Sequence, residues 1–271
     1  MDRLNKTYLL WIFAAVITLG SVVYQRMTGP SYPVRVNKTL PTGETVKSKF
    51  RTTYESVSDA PVRVVITNHD YSGRLEWRRL NSRDEWSITP LSRIGDTLMA
   101  SLPMQPPAGK LEYNVILSLQ SGGDIRMASE PVVIRFKGPV PVGILAPHVL
   151  FMFCSMLLAT RTGLQALARP NETKRLAMLT AILLFVGGLI LGPIVQKYAF
   201  GAFWTGWPFG HDLTDNKTAL AMLMWIIAIW RDSRTGKGRW WYVSATLVHL
   251  LVYLIPHSVL GSELDYTDAK G

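Results

Sequence analysis

Cysteine is almost missing from this chain: Cys154 is the only one among 271 residues. A single thiol inside an apolar run excludes an internal disulfide, a C-x-x-C-H haem attachment and a multi-thiolate zinc site. Charge is missing from whole stretches as well. No Asp, Glu, Lys or Arg falls within Thr7–Gln25, Gly138–Thr160, Leu176–Gln196, Thr218–Trp230 or Trp240–Gly261. These runs therefore offer no acidic or basic path of the kind that ion-coupled transporters use, and no inverted repeat is visible. Nucleotide-binding glycine loops and nucleophile–base pairs are missing too. Together these absences favour a non-catalytic protein over an enzyme or a small transporter.

What is present is apolar length. Hydrophobic residues make up 48% of the chain and its mean hydropathy is +0.15, more than an ordinary soluble domain carries. The five uncharged runs are predicted transmembrane helices, because a spanning helix needs roughly 20 residues. Thr218–Trp230 is the short one, about 20 Å at 1.5 Å per residue, and needs extra turns at its ends. The first run follows the basic start Met1–Lys6 and lacks a small-x-small cleavage site, so it reads as an uncleaved anchor. Arg161, Arg169, Lys174 and Arg175 outweigh Glu172, and Arg231, Arg234, Lys237 and Arg239 outweigh Asp232. Both segments are expected on the cytoplasmic side. The charge-balanced loop Lys197–Lys217 and the acidic tail are expected outside. The predicted protein sits in the bacterial inner membrane with its N-terminus cytoplasmic and its C-terminus periplasmic. The net charge of +10 is in large part topological, and nucleic-acid binding has no support.

The expected organisation is an anchor over 1–30, an extracytoplasmic domain over 31–138, a four-helix membrane domain over 139–261 and an outer tail over 262–271. The second segment reads as β. "PVRVVIT" (61–67), "GRLEWRRL" (73–80), "DTLMASLP" (96–103), "KLEYNVILSL" (110–119) and "PVVIRF" (131–136) are short runs separated by turn residues. Apolar alternation is clear at Val62, Val64 and Ile66 and along Leu111, Tyr113, Val115 and Leu117. "MQPPAGKLEYNVILSL" resembles the start of strand F in immunoglobulin-like and fibronectin type III-like domains. The resemblance implies a β-sandwich inserted between the first two helices, with Tyr113 as a tyrosine-corner residue. The fold class expected is thus an α+β membrane protein. The run Arg74, Arg78, Arg79 and Arg83 reads as a solvated face or as a contact for an acidic partner or lipid headgroups.

Ionisable groups inside a membrane are costly and so draw functional attention. Those in the apolar runs are His148, His249 and His257. One reading is a b-type haem held by His148 with His249 or His257, since a neutral imidazole nitrogen ligates iron while the other is anchored by an acceptor. Another is that each histidine hydrogen-bonds a backbone carbonyl. A third is an outer-face metal site joining His257 with His211, Asp212 and Asp215 of the loop Lys197–Lys217 and with Glu263 and Asp265 of the tail, a mixed His/carboxylate set suited to a divalent ion. Asp212 and Asp215 also read as an N-cap and an N3 acid at the start of the fourth helix.

"KYAFGAFWTGWPFGHDLTDNK" (197–217) places Phe203, Trp204, Trp207 and Phe209 where an interfacial aromatic belt is expected. Gly201, Gly206, Gly210 and Pro208 imply a folded-back loop rather than a simple belt. An ordered contact surface on the outer face is the expectation. Gly188 and Gly192 form a small-xxx-small pattern for close helix packing, within the chain or with a second one. The function these features favour is an accessory subunit of a larger membrane complex. It would dock partners through the sandwich and the aromatic loop and contact the lipid bilayer. A redox version has it carry or shield a haem or a quinone in electron transfer.

Overall fold

A computed structural model describes residues 3–169, 172–256, 264, 266 and 267. The architecture is α+β, and its contacts fall into two compact units, one built mainly on helices and one mainly on strands.

The helical unit contains α1 (Arg3–Thr28), α2 (Val142–Ala168), most of α3 (Lys174–Phe200), α4 (Leu213–Thr235) and α5 (Arg239–Leu254). Three helices are long and apolar enough to cross a membrane: α1 over Thr7–Thr28, and α2 and α3 along their lengths. Five spans were expected. α4 falls short because Asp215 and Lys217 near its start, with Arg231, Asp232 and Arg234 near its end, leave only the middle uncharged. α5 falls short because its described helix has 16 residues.

Small residues let these helices approach closely. Ala221, Trp225 and Ala228 of α4 recur at helical spacing. They are buried in one cluster with Ala159 and Ala166 of α2, Ala177 and Ala181 of α3, and Ala245 of α5. A Cβ on Gly163 would lie 2.6 Å from Thr246 Cγ2, so the backbone of α2 packs directly on the Thr246 side chain of α5. The Thr246 hydroxyl completes that crossing by donating to the Ala159 carbonyl at 2.9 Å. Gly236, at φ +66, ends α4 in the left-handed conformation that favours glycine. Asp232 then pins the turn into α5, accepting from Gly238 N at 3.0 Å and from the Tyr242 hydroxyl at 2.8 Å.

The strand unit contains β1 (Val34–Thr39), β2 (Thr45–Phe50), β3 (Thr53–Glu55), β4 (Ala60–Val65), β5 (Tyr71–Arg79) and β6 (Ser87–Pro90). It continues with β7 (Ser92–Ile94), β8 (Thr97–Leu102), β9 (Lys110–Leu119), β10 (Asp124–Arg126) and β11 (Val132–Lys137). One sheet runs β3-β11-β9-β5-β6, with β10 also on β9. A second runs β4-β8-β7, and β1-β2 is a separate hairpin. β3 joins β11 in parallel, while β5 and β9 are antiparallel from Tyr71↔Leu119 to Arg79↔Leu111. The period-2 pattern sends Val62 and Val64 of β4, Leu75 of β5, Leu98 and Leu102 of β8, and Leu111, Tyr113, Val115 and Leu117 of β9 into one core.

The arginine run is largely neutralised by this register. Arg74 pairs with Glu76 at 2.9 Å and Asp124 at 2.7 Å, Arg78 pairs with Glu112, and Arg79 grips Asp84 through two nitrogens. These guanidinium hydrogen bonds hold the Asp84 and Asp124 carboxyls below the usual carboxylate range.

Tyr113 is buried, with its ring edge-on to Phe50. Its hydroxyl donates to the carbonyl of Arg51 at 3.0 Å, in the segment between β2 and β3. A tyrosine corner bonds backbone only a few residues upstream; here the partner comes from a different part of the chain. The bond crosses the core edge and ties the β1-β2 hairpin to β9. Tyr113→Phe is therefore expected to cost about 1 kcal/mol, one net hydrogen bond. The check is the urea midpoint of the strand unit, and an unchanged midpoint would deny the bond any weight.

Candidate functional site

The segment between α3 and α4 is built around one carboxylate. Asp215, in the first turn of α4, is 6% exposed. Its Oδ2 accepts from Thr205 N at 2.7 Å, Gly206 N at 3.0 Å and Gln196 Nε2 at 3.1 Å. As a first-turn acid it was expected to reach back to its own helix's cap; it reaches the loop instead. Asp212 does cap α4, its Oδ1 accepting from Thr214 N at 2.8 Å, and its Oδ2 faces the Thr205 hydroxyl at 3.2 Å. Asn216 Oδ1 accepts from Trp207 N at 2.6 Å. The amides of Thr205, Gly206 and Trp207 thus end on α4 side chains, which fixes the loop's path.

Glycine is required where the loop folds on itself. A Cβ on Gly206 would lie 2.6 Å from Asp215 Cβ, and one on Gly210 would strike the Thr205 carbonyl oxygen. Phe209 N and Gly210 N both donate to the Gly206 carbonyl at 2.9 Å, and Trp204 Nε1 donates to the Trp207 carbonyl at 3.2 Å. Trp204 is half-buried as a result. Phe203, Trp207 and Phe209 are left 56%, 75% and 83% exposed on this fixed frame. The Lys197 ammonium lies 5.5 Å over the Phe203 ring.

The residues considered for a metal do not come together. His211 is exposed, and the Asp212 and Asp215 oxygens are engaged by the donors named above. Among the described residues no group of three or more His, Cys, Asp or Glu side chains could hold a metal ion. His257, Glu263 and Asp265 lie outside the described residues.

The haem reading finds no support in the geometry. His148, on α2, places Nδ1 2.9 Å from the Gly187 carbonyl, which can only accept, so Nδ1 carries the proton. The cavity beside it is about 170 Å³, lined by Val22, Gln25, Met152, Phe153 and Tyr253 among others. Small-ligand pockets run to about 300–1,000 Å³, and a porphyrin is a large ligand. His249 is not among the residues lining that cavity. It is fully buried, lies parallel to the Tyr253 ring at 5.2 Å, and accepts at Nδ1 from the indole N–H of Trp225 at 2.9 Å. Tyr253 in turn donates to the Met152 carbonyl at 2.8 Å. The two imidazoles act as interhelical ties: His148 joins α2 to α3, and His249 joins α5 to α4.

Gly187 and Gly188 fall in a π-helical stretch of α3, Phe185–Leu191. A Cβ on Gly188 would lie 2.7 Å from Thr218 Cγ2 of α4, so this glycine is used within the chain. Gly192 has only ordinary contacts, with His148 Cε1 at 3.8 Å.

Several structural residues carry no signal in the sequence. Gln196, Thr205 and Asn216 read as ordinary polar loop residues. Lys217 reads as a helix-end lysine, yet it is 5% exposed and donates to the Ile255 carbonyl at 2.6 Å. Only the uncharged setting of Trp225 and His249, at mid-run on different helices, hints at their pairing.

Compared with protein-family models and with curated proteins, the chain matches none.

Proposed function

We propose that this protein is a non-catalytic accessory subunit of a larger membrane complex. In this reading α4 and α5 cross the bilayer with α1, α2 and α3. The strand unit and the 201–212 loop then lie on the outer, periplasmic side of a bacterial inner membrane. The observation that carries the reading is the loop: three aromatic side chains held out on a backbone fixed by Asp215, Asp212 and Asn216. A belt that only met lipid would need neither the buried carboxylate nor the glycine-enforced fold. Preorganised aromatic anchors are what protein interfaces use, because little conformational entropy is lost on contact.

The strand order supports an immunoglobulin-like sandwich for the second unit. β4-β8-β7 corresponds to strands B, E and D, and β5, β9 and β11 to C, F and G, with β6 as C′. Trp77 of β5 stands opposite Tyr113 of β9, near where such domains carry their strand-C tryptophan. Extracytoplasmic domains of this kind serve as docking modules; the fold alone assigns no activity.

Trp207→Ala combined with Phe209→Ala tests the reading by copurification in mild detergent. Partner recovery is expected to fall at least tenfold, because anchor residues are typically worth about 2 kcal/mol or more each. Membrane insertion should be unchanged, since both side chains are exposed. Full recovery of the same partners would refute the docking role of the loop.

A further inference from the structure

Arg83 apart, the cations of the strand unit that form no ion pair among the described residues are not the ones that the sequence draws attention to. Arg35, Lys47, Lys49 and Arg51 point outward from the β1-β2 hairpin and the residue after it, and Arg63 points outward from β4. The register sets Arg35 directly opposite Lys49. Like charges at facing positions destabilise a strand pair unless an anion lies between them. Among the described residues none of these five cations is in an ion pair, whereas Arg74, Arg78 and Arg79 all are.

Shape distinguishes this patch from a merely solvated face. Lys49, Arg51 and Arg63 line one cavity of about 300 Å³ with no carboxylate in its wall, and Phe50, Val62, Tyr113 and Ile134 contribute the rest with Pro61. Lys49 continues into an adjoining hollow with Arg35 and Lys47. Two guanidiniums and an ammonium around a concavity of that size suit a phosphate group, which a guanidinium grips through two parallel hydrogen bonds.

The chain limits where that phosphate comes from. Residues 29–33 join Thr28 of α1 to Val34 of β1, and residues 138–141 join Lys137 of β11 to Val142 of α2. At about 3.5 Å per residue each link reaches no more than about 20 Å, and both lead to helices able to cross a membrane. Phospholipid headgroups are therefore the phosphates at hand. We infer that the Lys49–Arg51–Arg63 cavity binds the phosphate of an anionic phospholipid headgroup. The inference rests on the membrane reading of α1 and α2 and does not depend on the docking role of the aromatic loop.

The test uses the full chain in nanodiscs of phosphatidylcholine alone or with phosphatidylglycerol, read by amide hydrogen exchange of peptides covering 45–51 and 60–65. Exchange there should slow at least fivefold with phosphatidylglycerol, revert in high salt, and fail to slow in Lys49→Gln/Arg51→Gln/Arg63→Gln. Each basic residue near an anionic surface is worth roughly fivefold in affinity. Unchanged exchange of the buried strand β9 confirms that the triple variant is folded. Equal protection in neutral discs, or protection that survives the triple substitution, overturns the inference. Inorganic phosphate giving the same protection in neutral discs assigns the cavity to free phosphate and overturns the lipid. Failure to enter nanodiscs would overturn the membrane reading and this inference together, whereas entry without protection overturns this inference alone.

Discussion

Asp215→Ala is expected to release the loop between α3 and α4 while leaving both helices in place. The substitution strands the amides of Thr205 and Gly206, which converge on one buried oxygen, and leaves Gln196 Nε2 only the Thr205 hydroxyl. Each buried donor left without an acceptor costs about 1–3 kcal/mol. The loop should therefore lose about 3 kcal/mol of local stability, enough to raise amide exchange over 202–210 by a factor of more than a hundred. Asp215→Asn keeps one acceptor oxygen and should fall in between. Aromatic presentation goes with the frame, so Asp215→Ala should lower partner recovery as far as the Trp207/Phe209 double variant, though it touches no partner itself. Unchanged exchange at Thr205 and Gly206 would remove the carboxylate from its organising role, and with it the main support for an ordered docking surface.

The contrast between Asp215 and its neighbours marks what the sequence makes legible. The aromatics and glycines of 201–210 signal an ordered loop by composition alone. The anchor does not, because its partners lie up to 19 positions away along the chain and an acid in a helix's first turn already has an ordinary explanation. The same limit governs the arginines. A cluster such as Arg74, Arg78 and Arg79 stands out in the sequence, yet register decides which charges meet, and Glu112 reaches Arg78 from 34 positions away. The cations left over, Arg35, Lys47, Lys49, Arg51 and Arg63, are spread across three strands and the residue after β2.

Strands with clean period-2 alternation were legible almost to the residue. The run read over 110–119 is β9, that read over 96–103 contains β8, and that read over 61–67 covers all of β4 but its first residue. The β1-β2 hairpin was not, since its inward positions include Ser48 and its outward ones are almost all polar. On the helical side an apolar run announces a helix, but spanning depends on length and end charges as well. That is why α4 falls short through its end charges and α5 through its length, where α1, α2 and α3 do not. The π-helical stretch of α3 was illegible for a different reason: hydrogen bonds that span one residue more than in the α-helix leave no mark on an all-apolar sequence.

Trp225→Ala should be the most damaging single change in the helical unit. The side chain is fully buried in a cluster most of whose other members are alanines, too small to close over the space an indole leaves. Large-to-small changes at such sites cost about 3–5 kcal/mol. Part of that cost is polar, because the indole N–H is the donor to His249 Nδ1, and removing it leaves a buried nitrogen unpaired. A double-mutant cycle separates the two parts. Trp225→Phe and His249→Phe each break the bond, and the pair together should cost less than their sum by about 0.6 kcal/mol, the average for interhelical hydrogen bonds in membranes, and by no more than about 1.7 kcal/mol. Unfolding of the full chain in mixed micelles gives all four stabilities. Strict additivity would mean that Trp225 and His249 hold α4 and α5 together by packing alone. Coupling of the expected size makes the histidine a structural tie between α4 and α5.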